Sequence, residues 1–210
     1  MSAHQLTSNQ GEANIYIHPG GINCGEITLK ADSCFSSCPP PPPPPPSSPS
    51  CPANLNGQWE FPHLIIPIDS NTPTIPAGTK YFGEVSSTIS TIYNFDTPAS
   101  DAGKTCSLVF LFPTQDQLET SSFTFSGNGG IAFSQLDGVA TNSTTYATAP
   151  AEKTSYGVTV VAPGNSYTIA SFPCPAGQAV SYELKAVGDT YLRDFQDFNP
   201  SPIGVYITKC

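Results

Sequence analysis

The sequence predicts an all-β protein: an antiparallel β-sandwich, jelly-roll or immunoglobulin-like, preceded by a proline-rich spacer and an N-terminal β-hairpin. Three observations lead to this prediction. Short apolar or alternating runs recur between glycine- and proline-rich turns throughout residues 51–210, which is typical of sandwiches and barrels. Residues 39–46 are eight consecutive prolines. The best helix candidate in the whole chain is a single turn.

The proline run separates two parts of the chain. Each proline lacks a backbone donor and has a fixed φ, so the run cannot lie inside a helix or a central strand. We expect an extended polyproline rod of roughly 25 Å, at about 3.1 Å per residue. The chain therefore divides into residues 1–38, a linker at 39–50 and a main domain at 51–210. Such an arrangement suits a protein that holds a domain away from a surface.

Residues 1–38 are too few to fold well alone. Two alternating runs, 14–18 and 26–30, flank the turn Pro19-Gly20-Gly21 and predict a β-hairpin. Because a lone hairpin is barely stable in water, we expect residues 11–32 either to be disordered or to pair with other strands. We interpret residues 1–38 as the C-terminal remnant of an upstream β module. No apolar signal-peptide core follows Met1, so we expect the signal to be removed or to lie upstream.

The predicted strands of the main domain follow from apolar or alternating runs. The run 63–68 is apolar, 84–95 alternates, and 106–112 is continuously apolar, as expected of a strand buried on both faces. One helical turn is predicted near 115–120, with Thr114 as its N-cap. The remaining predicted strands are 122–126, 130–134, 156–161, 167–172, 180–187, 191–198 and 203–208.

Composition excludes several classes of function. Charged residues are 11% of the chain, the net charge is −9, and Arg193 is the single arginine. A nucleic-acid-binding protein needs a cationic surface to displace counterions, so we expect no nucleic-acid partner. Anionic membranes are disfavoured for the same reason. No segment approaches the roughly 20 apolar residues of a membrane span.

The cysteines indicate an oxidising compartment. There are seven of them, and the three histidines are badly placed to share a metal site with them. Dispersed cysteines in an acidic, Ser/Thr-rich chain favour disulfides and an extracellular location. The four in the main domain allow three connectivities. We favour Cys51–Cys210, because the first and last strands of a sandwich are often neighbours, which leaves Cys106–Cys174.

The upstream cysteines remain unassigned. Cys24, Cys34 and Cys38 could pair among themselves or with residues upstream of this chain. The odd total indicates a missing partner, and together with the absent signal peptide it leads us to expect that the chain is a fragment of a longer protein.

Five stretches of the main domain carry a family resemblance. They are EFPHLIIPIDS at 60–70, GKTCSLVFLFP at 103–113, SSFTFSG at 121–127, CPAG at 174–177 and FQDFNPSPIG at 195–204. Together they resemble the C-terminal domain of the ubiquitin-three-binding But proteins of fungi. The resemblance implies secreted, cysteine-containing cell-wall or surface glycoproteins, often with proline-rich linkers. The family name comes from a yeast member linked to the activating enzyme of a ubiquitin-like modifier, which is an intracellular role.

A second resemblance covers residues 11–34. The strings GEANIYI at 11–17 and CGEITLKADSC at 24–34 resemble the tail of a fungal cell-wall module that often precedes the But-type domain. This resemblance supports truncation of the chain.

Candidate catalytic residues are few. His63 is the only histidine of the main domain; as a base it would need a nucleophile and an orienting acid, and its apolar setting favours a structural role. Glycoside hydrolysis needs two carboxylates at a defined separation. Asp116 with Glu119, and Asp194 with Asp197, are the candidate pairs. We predict that none of these residues is catalytic.

The end of the strand 191–198 provides the candidate ligand contacts. Asp194, Asp197 and Asn199 could bind Ca²⁺, but self-bonding turn residues are favoured, so we predict no metal and no cofactor. Phe198 precedes a proline-containing loop, where an exposed ring can stack on a sugar. Phe198, Asp197 and Asn199 are therefore the predicted ligand contacts. Asn142 lies in the sole N-glycosylation sequon of the sequence and is predicted to be glycosylated.

These observations predict a secreted fungal cell-wall or surface glycoprotein with a non-catalytic structural or binding β-sandwich. Cell-wall polysaccharide or a surface protein is the candidate partner. The first alternative is an intracellular adaptor that binds the activating enzyme of a ubiquitin-like modifier. The second is an enzyme that modifies wall glycans. Disulfides would argue against the adaptor, and a cleft holding two carboxylates would favour the enzyme.

Overall fold

The computed structural model of the protein describes residues 5–7, 12–14 and 50–210. The chain divides into two compact units, Met1–Pro45 and Pro46–Cys210. In the first, strand β1 (Gln5–Thr7) pairs antiparallel with β2 (Glu12–Asn14). This short pairing was not predicted. The predicted hairpin beyond residue 14, the proline run and the three upstream cysteines lie outside the described residues.

The second unit contains twelve strands in three antiparallel sheets. Their bounds are β3 Gln58–Glu60, β4 Leu64–Asp69, β5 Phe82–Val85, β6 Ile89–Asp96, β7 Thr105–Phe112, β8 Phe123–Ser126, β9 Gly130–Leu136, β10 Glu152–Val160, β11 Asn165–Pro173, β12 Ala179–Ala186, β13 Tyr191–Phe195 and β14 Gly204–Lys209. The sheet orders are β10-β9-β12-β6-β4, β11-β7-β14-β3 and β5-β13-β8. This architecture confirms the prediction of an all-β, sandwich-like fold.

One large apolar core joins the three sheets. It includes rings that are almost completely buried, among them Phe95, Phe110, Phe133 and Tyr182. Strand β7 supplies both this core and a smaller cluster around Tyr206, and every residue after its first is buried. The prediction of a strand covered on both faces is therefore confirmed.

Two disulfides close the domain. Cys51 is bonded to Cys210 and Cys106 to Cys174, which are the pairings favoured from the sequence. The first bridge lies just after β14 and beside the start of β7, where Cys210 and Thr105 exchange backbone hydrogen bonds. In the second, Cys174 follows β11 directly, beside its paired strand β7. The second bridge thus joins segments that sheet pairing already holds together, whereas the first fastens Cys51, which precedes β3, to the end of β14.

Several predicted boundaries were wrong for identifiable reasons. The run 84–95 is two strands, because the chain turns at Ser86, whose backbone N–H donates to the carbonyl of Ile89 at 2.9 Å. Strand β5 belongs to the three-stranded sheet, whereas β6 belongs to the five-stranded sheet. Strand β13 ends at Phe195 because only an isolated bridge, Asp197 to Ile203, continues the pairing. Strand β10 starts earlier than predicted, and the three-residue β3 was missed.

The predicted helical turn is a single 3-10 turn, Gln115–Gln117, with Thr114 at its N-cap. The backbone N–H of Thr114 donates to Oε1 of Gln117 at 2.9 Å. Further 3-10 turns lie at Ala99–Asp101 and Tyr146–Thr148.

Candidate functional site: an aromatic groove

The loop after β13 is held rigidly and presents Phe198. One carboxylate oxygen of Asp197 accepts the backbone N–H of Phe198 at 2.8 Å, and the other accepts the hydroxyl of Thr120 at 2.7 Å. The same hydroxyl also contacts the carbonyl oxygen of Asn199 at 3.0 Å. From below, the Tyr206 hydroxyl donates to the carbonyl of Asp197. The loop therefore needs little ordering on binding, which lowers the entropic cost of an interaction.

Phe198 belongs to a group of four rings that we call the aromatic cluster: Trp59, Phe61, Phe198 and Tyr206. Ring centroids are 5.6 Å apart for Trp59 and Phe198, and 6.4 Å apart for Phe61 and Phe198. Tyr206 lies beneath, edge-on to Trp59 at 5.7 Å. Phe198 is 53% exposed and Phe61 is 39% exposed. The cluster thus has a packed base and two rings that face solvent.

Beside the cluster lies an open groove of about 430 Å³, which we call the aromatic groove. Its lining residues are Phe61, Pro62, His63, Ile65, Thr79, Lys80, Tyr81 and Gln196. Tyr81 is 76% exposed, and its ring stacks on Phe195 at 6.1 Å. Aromatic faces with a few polar groups are typical of small-ligand sites, and the volume falls within their range of about 300–1,000 Å³.

The polar residues of the aromatic groove differ in availability. Gln196 is committed, because its side-chain amide both donates to and accepts from the backbone of Val205, at 2.8 and 2.9 Å. His63 Nδ1 lies 3.1 Å from a carboxylate oxygen of Asp96. Lys80 makes no ion pair with any residue in the described part of the chain. Its ammonium group can donate to a ligand.

A second groove, of about 310 Å³, adjoins the first and shares Lys80 with it. It is lined by Pro67, Ile68, Asp69, Thr72, Ala77, Lys80, Phe82, Glu84, Ile89 and Arg193. The Arg193 guanidinium lies 3.8 Å above the centre of the Phe82 ring, and its Nε is 3.5 Å from the Glu84 carboxylate. We call this the charged groove.

The predicted ligand contacts lie together in the loop after β13. Phe198 is exposed there, as predicted. Asp197 organises that loop with both carboxylate oxygens engaged, and its role as a direct ligand contact stays a prediction. Asn199 is exposed beside Phe198. Asp194 lies buried in β13, whereas Asp197 is in the loop. Asp116 and Glu119 are both exposed near the 3-10 turn.

Sequence reasoning missed Trp59, Phe61 and Tyr81 as site residues. They come from β3, the residue after it, and the segment before β5, and only the fold brings them close to residues 195–198. The sequence also missed the carboxylates Asp69 and Glu84, which line one groove. One carboxylate oxygen of Glu84 lies 3.5 Å from Nε of Arg193.

Asp194 is a buried carboxyl group with an unusual environment. It is 2% exposed, and its Oδ2 has no hydrogen-bond partner among the described residues. Burial raises the pKa of Asp194 to about 7. Its charge also helps to raise the pKa of Tyr93, after the larger effect of that ring's own burial. Opposite it stands Gly83, where an added Cβ would collide with the Tyr93 hydroxyl. Asp194 lies on β13 beside its paired strand β5 and lines neither groove.

Asn142 occupies an exposed turn. Its sequon threonine, Thr144, is buried and accepts the backbone N–H of Thr141 at 2.8 Å. No group of three or more metal-ligating side chains occurs within residues 50–210. None of the helices in the described segments has the length and apolarity to cross a membrane.

These observations define a disulfide-closed β-sandwich domain with a solvent-facing aromatic groove. The sequence profile described as "Ubiquitin 3 binding protein But2 C-terminal domain" matches residues 60–200. The chain therefore belongs to the But2 C-terminal domain family. Comparison with curated proteins gave no match.

Proposed function

We propose that the domain is a non-catalytic binding module of a secreted cell-wall or surface glycoprotein, and that a polysaccharide binds in the aromatic groove. The observation that carries this proposal is the grouping of three exposed rings, Phe61, Tyr81 and Phe198, on and beside one groove. Sugar rings have C–H groups on their faces and hydroxyls on their rims. Aromatic faces and the polar groups of His63 and Lys80 complement both features.

The location is supported by two further facts. Disulfides persist mainly outside the reducing cytosol, and this domain contains two of them. The low charge content, 11%, is well below the roughly 25% of average globular proteins. Both favour the extracellular interpretation over the intracellular adaptor.

Phe198→Ala should weaken retention of the protein on an insoluble wall glycan about tenfold, which corresponds to about 1.4 kcal/mol. The exposed ring would no longer face the ligand, while the buried base of the cluster stays. Stability should fall by about 1–3 kcal/mol, because the ring makes two aromatic pairs, with Trp59 and with Phe61, each worth about 0.5–1.5 kcal/mol. Co-sedimentation with β-glucan, chitin and mannan measures retention, and thermal unfolding measures stability.

Tyr146→Ala is the matched control, because Tyr146 is also exposed, at 48%, but lines neither groove. It should leave retention unchanged. Wild-type protein that is retained on no glycan would refute the proposal. A collapse of stability in Phe198→Ala would instead place this ring in the core, where Phe→Ala costs about 3–5 kcal/mol.

A protein partner is the second candidate, because exposed Trp, Tyr and Phe rings are also enriched in protein interfaces. The family is described as the C-terminal domain of a ubiquitin 3 binding protein. Titration of the domain with a ubiquitin-like protein tests this candidate. Changes in the NMR signals of Phe61, Tyr81 and Phe198 would favour the adaptor.

The wall-glycan-modifying enzyme has a separate test. Release of reducing sugar from a glycan by the wild type, abolished in Glu84→Gln, would favour the enzyme.

Asn142 should carry an N-glycan when the protein is made in a eukaryotic secretory host. Its exposed turn leaves room for the sugar. Mass spectrometry before and after endoglycosidase treatment should show a mass loss in the wild type and none in Asn142→Gln. Asn56→Gln, an exposed asparagine outside any sequon, should behave as the wild type. An unmodified wild-type Asn142 would contradict the prediction.

A further inference from the structure

We infer that the ligand is a long polysaccharide chain that occupies both grooves at once; this inference rests on the proposed function. The two grooves are lined by the same two segments of chain. Ile65 lines the aromatic groove, while Pro67 and Ile68 of the same strand line the charged groove. On the facing segment, Thr79 and Tyr81 line the aromatic groove, and the flanking residues Ala77, Phe82 and Glu84 line the charged groove.

Lys80 is the residue that the two grooves share. Its backbone N–H donates to the carbonyl of Ile65 at 2.8 Å, which fixes the segment against β4. Its ammonium group makes no ion pair within residues 50–210. It therefore lies where consecutive sugar units would pass from one groove to the next, with donors available for their hydroxyls.

The charged groove contains one aromatic ring, and a cation covers it. Phe82 is packed edge-on against Phe195 at 5.1 Å, and the Arg193 guanidinium lies over its ring at 3.8 Å, so the guanidinium offers the donors on this side of the groove. Phe195 also stacks with Tyr81 of the aromatic groove, so one ring packs against side chains of both grooves. A chain that engages both has two sets of contacts for one loss of translational freedom.

The charge distribution limits the chemistry of the ligand. The net charge of −9 repels anionic polymers. Within the charged groove the carboxylates of Asp69 and Glu84 face the cations Lys80 and Arg193, which gives no excess of either sign. The structure thus fits a chain of uncharged sugars, and the negative net charge is also compatible with cationic amino sugars.

The test is a chain-length series measured by calorimetry with the full chain. β-Glucan and chitin oligosaccharides of two to eight sugar units serve as probes. The affinity should rise at least tenfold between three and six units. Ala77→Trp, which fills the charged groove from an exposed position, should remove this gain and leave the affinity for three units unchanged.

Ala102→Trp is the control, since Ala102 is an exposed alanine that lines neither groove. It should change neither affinity. Arg193→Ala should weaken the binding of six units three- to tenfold and leave three units unaffected.

The possible outcomes are distinct. Equal affinity for short and long oligosaccharides, with loss of binding in Phe61→Ala and Tyr81→Ala, would overturn the two-groove inference and leave the proposed function standing. Equal effects of Ala77→Trp and Ala102→Trp would also overturn it. Absence of binding to every oligosaccharide would refute the proposed function and this inference together.

Discussion

Asp194→Asn should remove a large pH dependence from the stability of the domain. Burial raises the folded-state pKa of Asp194 to about 7, whereas an unfolded aspartate titrates near 3.9. The folded state therefore holds the proton of Asp194 more tightly than the unfolded state does. The contribution of this group to the free energy of unfolding is fully present below about pH 4. Stability falls as the pH rises from about 4 to 7, by roughly 4 kcal/mol in total at about 1.4 kcal/mol per pKa unit.

Asparagine resembles the neutral carboxyl group and carries no charge. Asp194→Asn should therefore match the wild type near pH 3.5 and be more stable above pH 7. Urea unfolding at pH 3.5 to 8, with the disulfides kept oxidised, measures this difference. The neighbouring Tyr93 and Tyr206 have raised pKa values, mainly through burial, so they do not titrate in this window. Asp116→Asn, at an exposed site, is the control, and equal pH slopes for wild type and Asp194→Asn would contradict the prediction.

Loss of either disulfide should destabilise the domain strongly. The Cys51–Cys210 bridge spans 159 residues of sequence and Cys106–Cys174 spans 68. In the chain-entropy account, loops of these lengths correspond to about 5 and about 4 kcal/mol. Paired replacements, Cys51→Ala with Cys210→Ala, and Cys106→Ala with Cys174→Ala, should lower the free energy of unfolding by about these amounts.

Guanidinium unfolding of the three proteins measures the two losses. Non-reducing peptide mapping of the wild type must first show both bridges. Free thiols at all four positions would contradict the pairings and remove the main support for the extracellular interpretation. A similar loss on adding reductant to the wild type, and no further loss on adding it to a variant lacking both bridges, would show that the effect comes from the bridges.

Sequence patterns predicted the strands whose burial follows from their own residues. Residues 106–112 are apolar throughout, so burial on both faces followed directly. The division between β5 and β6 could not be predicted, because alternation continues across Ser86 while the two halves join different sheets. Strand β3 was missed because three residues carry no period, and its pairing with β14 defines it.

The candidate site was predictable only in part, for a related reason. Phe198 precedes Asn199-Pro200, so a loop that ends a strand was visible in the sequence. Phe61 and Tyr81 are distant in sequence, and only the packing of β4 against β6 and of β5 against β13 assembles the groove. The use of both Asp197 carboxylate oxygens to order the loop could not be predicted from the sequence. That use depends on Thr120, a residue from a remote segment.

The bridge between Cys51 and Cys210 joins the first and last residues of the sandwich. A pulling force applied to these two residues passes through the sulfur–sulfur bond and leaves the hydrogen bonds of the sheets unloaded. Without the bridge, and with Cys106–Cys174 still closed, the stretch between them could unravel to roughly 320 Å, at about 3.5 Å per extended residue. With it, the domain transmits tension as an inextensible link while the loop that carries Phe198 keeps its shape.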